Sequence, residues 1–451
     1  MQLRLSSLYA QFDILSQKGL NMDKTNIKGS ISITTILVII ALVSGGGYLF
    51  LKGLEAKITA KITGCELEST DFQTVLDFDY INGWIVVNVK VGSSDKEYPF
   101  FFDTGAQTVI MDSLLDELQQ DEYDSFSFGE GSDAVEHAFN NEIISISRLQ
   151  MGDIVFKDIG SLSAKNSRWS MLNCVSPYGI IGCNILEKLA FQINYEKQQI
   201  ILTDHIETLP NFSDNEWVDY KPVMTQESPV IQAMINDKIN VSLLVDTGMS
   251  GGATLESDTV YQKIIREYPG KYSKYSLVPS LRIRGESGDQ IQALKFVDAN
   301  LKIGENSSSF LPIYVQNQAE GRYSGLIGNQ YLQNYIITLD YGKRRIGFIP
   351  SSTNTHSNSN FGITFVAGES GMTVSKIFEG SEPDLAGIEP GDKVYSINGT
   401  IISDLSDDIF CQIYRDEYYF SSPEDSLLKF EIDLDGSIVG FTLMREQKQS
   451  I

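Results

Sequence analysis

Two stretches of the chain read alike, 143 residues apart. The first runs Ile85-Val86-Val87-Asn88-Val89-Lys90-Val91 and then Phe100-Phe101-Phe102-Asp103-Thr104-Gly105-Ala106. The second runs Val230-Ile231-Gln232-Ala233-Met234-Ile235 and then Leu243-Leu244-Val245-Asp246-Thr247-Gly248-Met249. Each continues to an apolar pair closed by glycine, Ile180-Ile181-Gly182 and Leu326-Ile327-Gly328, with an offset of 146. A strand pair follows each time: 191–195 with 200–202, and 336–341 with 346–349. Two landmarks at nearly equal offset mark an internal duplication. The runs are short, rich in Val, Ile and Phe, and punctuated by glycine, so each copy should be mostly β.

Composition narrows what such a pair can do. Of 451 residues 42% are hydrophobic and 21% charged, as in globular chains. At roughly 150 residues per domain, about three domains fit. The formal net charge is −24 with no basic stripe, which excludes nucleic acid as a partner. Three histidines, His137, His205 and His356, leave no His-built metal site and little for a Ser-His or Cys-His engine. Neither metal nor cofactor is expected. Gly248-Met249-Ser250-Gly251-Gly252 fits a nucleophile-elbow pattern formally, but the alternating helices of that fold are missing around it. Four cysteines are too few for a disulfide scaffold. Cys174 and Cys183 are close enough to pair in an oxidising compartment; the default for Cys183, beside the buried-looking Gly182, is a free buried thiol. The acidic cluster from Asp116 to Asp124, which includes Glu122, reads as a solvated face.

The two Asp-Thr-Gly triplets, each after a buried-looking strand and before an apolar-apolar-Gly turn, resemble the retropepsin-like aspartic proteases, here duplicated in one chain over about residues 75–350. Hydrolysis without a metal or covalent intermediate needs an activated water and a proton donor, and two carboxyls sharing one proton supply both. The resemblance implies that Asp103 and Asp246 are that dyad and that Thr104 and Thr247 lock the loops together. It implies that Gly105 and Gly248 permit their close approach, and that Gly182 and Gly328 sit behind them. Hairpins around Gly129 and Gly131, and around Gly285, would cover a bound polypeptide as flaps. Ala106 keeps the small residue usual after the triplet; Met249 departs from it. With both carboxyls in one chain, a monomer suffices for catalysis.

Two segments flank the duplication. Residues 29–51 are 23 uncharged residues, enough to cross a membrane. The competing reading is a cleaved signal peptide ending near Val43-Ser44-Gly45. Lysines 18, 24 and 28 before the span balance lysines 52, 57 and 61 after it, so charge does not set the orientation. A single anchor with a short leader points to an extracytoplasmic bulk.

After the polar stretch 351–360, the run Ala386-Gly387-Ile388-Glu389-Pro390-Gly391-Asp392-Lys393-Val394-Tyr395-Ser396-Ile397-Asn398-Gly399 resembles a PDZ domain. That resemblance implies a peptide added as an extra strand. Its terminal carboxylate would be received by Phe361, Gly362 and Ile363, and a groove helix would lie over 404–418. Residues 361–451 hold 17 acidic and 6 basic side chains, so apolar or basic peptide ends fit best.

The expected architecture is a leader (1–28), a transmembrane helix (29–51), a linker (52–74), β lobes at 75–205 and 206–350 forming a bilobal acid-protease fold, a linker (351–360) and an α+β PDZ domain (361–451). The expected function is a membrane-anchored aspartic endopeptidase. The alternative is an inactive, membrane-tethered scaffold that binds peptides without cutting them.

Overall fold

The computed structural model describes residues 61–127, 131–132, 138–139, 142–166, 170–223, 226–278, 290–308, 312–351, 361–368, 371–417, 427–434 and 436–444. The expected anchor 29–51 and the flap glycines Gly129 and Gly285 lie outside these residues. Among the described residues no helix is long and apolar enough to cross a membrane.

In the first repeat, β1 (Gln73–Asp77) leads to β2 (Trp84–Val91), which pairs antiparallel with β3 (Glu97–Phe102). Next come β4 (Val109–Met111), a helical turn α1 (Ser170–Asn173), β5 (Gly179–Ile181) and the turn α2 (Cys183–Leu186). β5 lies parallel to β3 and antiparallel to β4, so the chain returns beside the strand that leads into Asp103. The pair β6 (Ala190–Asn194) and β7 (Gln199–Thr203) closes the repeat. Strand alternation sorts β3 into two faces. Phe100 and Phe102 enter the main core with Val87, Ile110 and Ile181, while Phe101 points the other way with Val86, Val109 and Ile180. Each fully buried Phe or Ile contributes about 2–3 kcal/mol.

The second repeat uses the same plan: β8 (Glu216–Asp219), β9 (Pro229–Ile235), β10 (Ile239–Val245), β11 (Tyr272–Leu277), β12 (Gly325–Ile327), the turn α3 (Asn329–Leu332), β13 (Tyr335–Asp340) and β14 (Arg345–Pro350). β9 pairs with β10, and β12 runs parallel to β10 in the register of β5 on β3. One six-stranded sheet joins the repeats in the order β8-β14-β13-β6-β7-β1. Its centre is the antiparallel pair β6 and β13, with Phe191 opposite Leu339 and Ile193 opposite Ile337. The order is the same from either end, which is the duplication expressed in three dimensions.

The C-terminal module has its own core of Phe365, Val374, Ile397, Phe430 and Ile432. β15 (Ile363–Gly368) forms a hairpin with β16 (Gly371–Phe378), and β16 also pairs with β11 of the second repeat, Tyr275 opposite Phe378. Helix α4 spans Asp407–Glu417, within the stretch expected to be helical. A short 3-10 turn, Ile402–Asp404, precedes it.

Some expectations need correction. Glu122 is buried rather than solvated: it accepts hydrogen bonds from the Ser93 N–H (2.5 Å), the Ser93 hydroxyl (2.6 Å) and the Gln119 N–H (2.9 Å). These donors offset its desolvation and hold its carboxyl below the usual range. The pairing of Cys174 with Cys183 does not occur. Cys183 is free and buried, facing inward from α2, while Cys174 lies on the opposite face and bonds to Cys411 of α4. Within the stretch read as a linker to residue 74, Glu66–Leu67 already pairs with the strand Ile154–Ala164, and β1 begins at Gln73.

Candidate active site

An aspartate follows directly on the last residue of β3 and of β10. The N–H groups of Asp103 and Asp246 extend the parallel ladders, donating to the carbonyls of Ile181 and Ile327, both at 3.0 Å. The chain then turns back on each carboxyl. The N–H groups of Gly105 (2.6 Å) and Ala106 (3.1 Å) donate to Asp103, and that of Gly248 (2.9 Å) donates to Asp246. The two carboxyls are buried side by side, close enough for each to shift the titration of the other. Each also lies against the other repeat's glycine. A Cβ on Gly105 would sit 2.6 Å from Asp246 Cγ, and one on Gly248 would sit 2.1 Å from Asp103 Oδ2. No larger residue fits at either position.

The threonines tie the two loops together. Thr104 Oγ1 donates to the Val245 carbonyl (2.7 Å) and accepts from the Thr247 N–H (3.1 Å). Thr247 Oγ1 donates to the Phe102 carbonyl (2.8 Å) and accepts from the Thr104 N–H (3.0 Å). All of these groups are buried, so each unmade bond would leave a desolvated polar atom.

A second shell of support was not read from the sequence. Cys183 and Asn329 occupy the first position of α2 and α3. The Cys183 thiol donates to the Thr104 carbonyl (2.9 Å), and the Asn329 amide donates to the Thr247 carbonyl (2.7 Å). Their backbone N–H groups donate to the carbonyls of Ala106 and Met249, both at 2.8 Å. Met249 therefore keeps the backbone bond made by Ala106, and its larger side chain does not open the loop. Burial pushes the Cys183 thiol well up, so it stays protonated and able to donate. Gly182 and Gly328 lie directly behind: a Cβ would come within 2.2 Å of the Gln107 carbonyl carbon and 2.4 Å of the Met249 carbonyl oxygen.

Burial raises both aspartates above the ordinary carboxylate range. Asp246 is raised further because Asp103 places a like charge beside it. Asp103 receives more backbone N–H bonds, which favour its ionised form. The pair thus titrates as a unit that shares one proton. A carboxyl raised on folding stabilises the protein below the unfolded value and loses that contribution as pH rises through the folded value. Asp246→Asn, always neutral, should therefore be more stable than wild type at neutral pH, and the gap should shrink as pH falls toward the ordinary carboxylate range. Thermal melts of both proteins at neutral and at acid pH check this; a gap that does not change with pH would contradict it.

Of the other expected residues, Gly131 pairs with Phe139 in a short hairpin. Phe361 and Ile363 are buried at the start of β15, with Gly362 between them. The outer edge of β15 pairs with no strand among the described residues.

Residues 350–415 match the family model for the PDZ domain. This module is a PDZ domain. Among solved structures, the chain is similar to basic 7S globulin from soybean at 12% identity, covering 62% of this chain and 96% of that one with a TM-score of 0.40. No curated protein matches the chain. The PDZ match ends inside α4, so the hairpin of Leu427–Leu434 with Ser437–Met444 extends the module beyond it.

Proposed function

We propose that the chain is an aspartic endopeptidase whose dyad, Asp103 and Asp246, takes one carboxyl from each repeat. The observation that carries this reading is the cross-placed pair, two buried carboxyls each resting on the other repeat's glycine. Ionised Asp103 takes a proton from a water as its oxygen bonds the scissile carbonyl carbon, and Asp246 gives its proton to the carbonyl oxygen. The resulting gem-diol collapses as the carbon–nitrogen bond breaks. The amine leaves with a proton from the dyad, and one water is consumed.

Both loops belong to one polypeptide, so the initial rate should stay proportional to protein concentration through any range in which the chain self-associates. A rate that tracks the dimer fraction in sedimentation would contradict this.

The PDZ domain takes the C-terminal end of a peptide along the edge of β15, with apolar or basic ends favoured by its acidic surface. We place the bulk of the chain outside the cytoplasm, anchored through residues 29–51. The Cys174–Cys411 disulfide supports that compartment, since such bonds persist where the surroundings oxidise. The direct test of the activity is cleavage of an unbiased peptide mixture by the full chain across pH, in the oxidised form and with a dithiol present.

A further inference from the structure

The wall beside the dyad differs between the repeats. Phe101 lies two residues before Asp103 on β3, so it projects on the same side of the strand as that carboxyl. Val109 and Ile180 flank it there, all three buried. The register identifies their counterparts: Ile180 pairs with Phe101 and Val109, as Leu326 pairs with Leu244 and Thr254. Leu326 and Thr254 remain partly exposed, while Leu244, the counterpart of Phe101, is buried as Phe101 is. What covers the first repeat is α4. Tyr414, 4% exposed, packs into the Phe101 cluster, with Phe410 and Cys411 beside it and Leu172, Cys174 and Val175 completing the cover. The Asn82 side-chain amide donates to the Tyr414 carbonyl. The same loop of the first repeat carries α1, which runs beside β15.

We propose that the Cys174–Cys411 disulfide holds α4 as a closure over the catalytic face of the first repeat, and that a dithiol reductant releases it. This rests on the peptidase reading above. A thiolate of the reductant attacks the Cys411 sulfur, which is half-buried whereas Cys174 is buried. The sulfur–sulfur bond breaks and the Cys174 sulfur leaves as a thiolate that takes up a proton. The second thiol of the reductant then displaces Cys411 from the mixed disulfide. Two electrons pass to the protein, which gains two thiols, and the reductant leaves as its disulfide. The cross-link closes a separation of 237 residues, so its loss removes the covalent constraint on α4 and leaves Tyr414 held by its packing, by the Asn82 bond and by the β16–β11 pairing.

The full chain, first oxidised and then treated with dithiothreitol, tests this by amide hydrogen exchange and by cleavage of the peptide mixture. Reduction should raise exchange in 80–86, 172–181 and 407–417, and should raise Asp103-dependent cleavage roughly 10-fold or more. Cys411→Ser should behave as the reduced wild type with or without the dithiol. Tyr414→Ala should speed the oxidised chain with its disulfide intact, and it decides the matter if Cys411→Ser fails to fold. Unchanged exchange on reduction, or measurable cleavage at equal rates for oxidised wild type and either variant, overturns the proposal. Exchange that rises while no form cleaves any peptide sinks the peptidase reading instead and leaves α4 as the cover of a binding face.

Discussion

Asp103→Asn and Asp246→Asn should each abolish peptide cleavage, lowering kcat at least about a thousandfold while the fold survives. An amide at position 103 cannot take the water's proton. An amide at 246 does not supply an acidic proton to the carbonyl oxygen. The two losses should not add, because the carboxyls act as one group: the double variant should be no slower than either single one. Both variants keep the N–H bonds from Gly105 and Gly248 to the side-chain oxygen, so circular dichroism should match wild type. The measurement is single-turnover cleavage in the presence of a dithiol, which separates the dyad from the closure by α4. Wild-type rates in either variant would dismiss the dyad as the engine and favour the peptide-binding scaffold.

Gly182→Ala should cost about 3 kcal/mol or more of stability, the upper range of overpacking. The added methyl would lie 2.2 Å from the Gln107 carbonyl carbon, 2.3 Å from the Thr108 nitrogen and 2.6 Å from the Ala106 oxygen. All are backbone atoms of the loop that carries Asp103, so relief means moving that loop. Gly328→Ala meets the Met249 and Gly251 carbonyl oxygens at 2.4 and 2.6 Å and should behave alike. Gly321→Ala is the control, since nothing lies within 4 Å of its Cβ position and its φ is not positive. Denaturant midpoints for the three variants check this. A loss under about 1 kcal/mol at Gly182 would mean that the loop yields easily and that its position is not held from behind.

The duplication, the meeting of Asp103 with Asp246 and the PDZ module were legible because each rests on a local pattern: an apolar strand, a triplet and a glycine at fixed spacing. What was not legible depends on distant partners. Cys183 and Asn329 share a task but no chemistry beyond a donor, so only their place after Gly182 and Gly328 could have matched them. Cys174 and Cys411 lie on different modules 237 residues apart, so sequence proximity offered Cys174 no partner but Cys183, whose default reading as a free buried thiol matches the structure. Glu122 sits in an acidic run that reads as surface; its burial depends on Ser93, 29 residues earlier. The pairing of β16 with β11 joins the PDZ domain to the second repeat through backbone bonds, which no side-chain pattern announces. The membrane segment is a reading of hydropathy alone.

The six-stranded sheet has a consequence during synthesis. Its central bond joins β6 to β13, and Gln192 on the first meets Thr338 on the second across 146 residues. At ribosomal rates of about 5–20 residues per second, β6 waits roughly 7–30 s for its neighbour. Through that interval the newborn first repeat carries an unpaired strand edge flanked by Phe191 and Ile193. The best-fitting alternative partner is the β13 of another nascent chain, which would give strand-exchanged dimers. Slowing elongation between the repeats should therefore shift yield from monomer to exchanged dimer without altering a single residue.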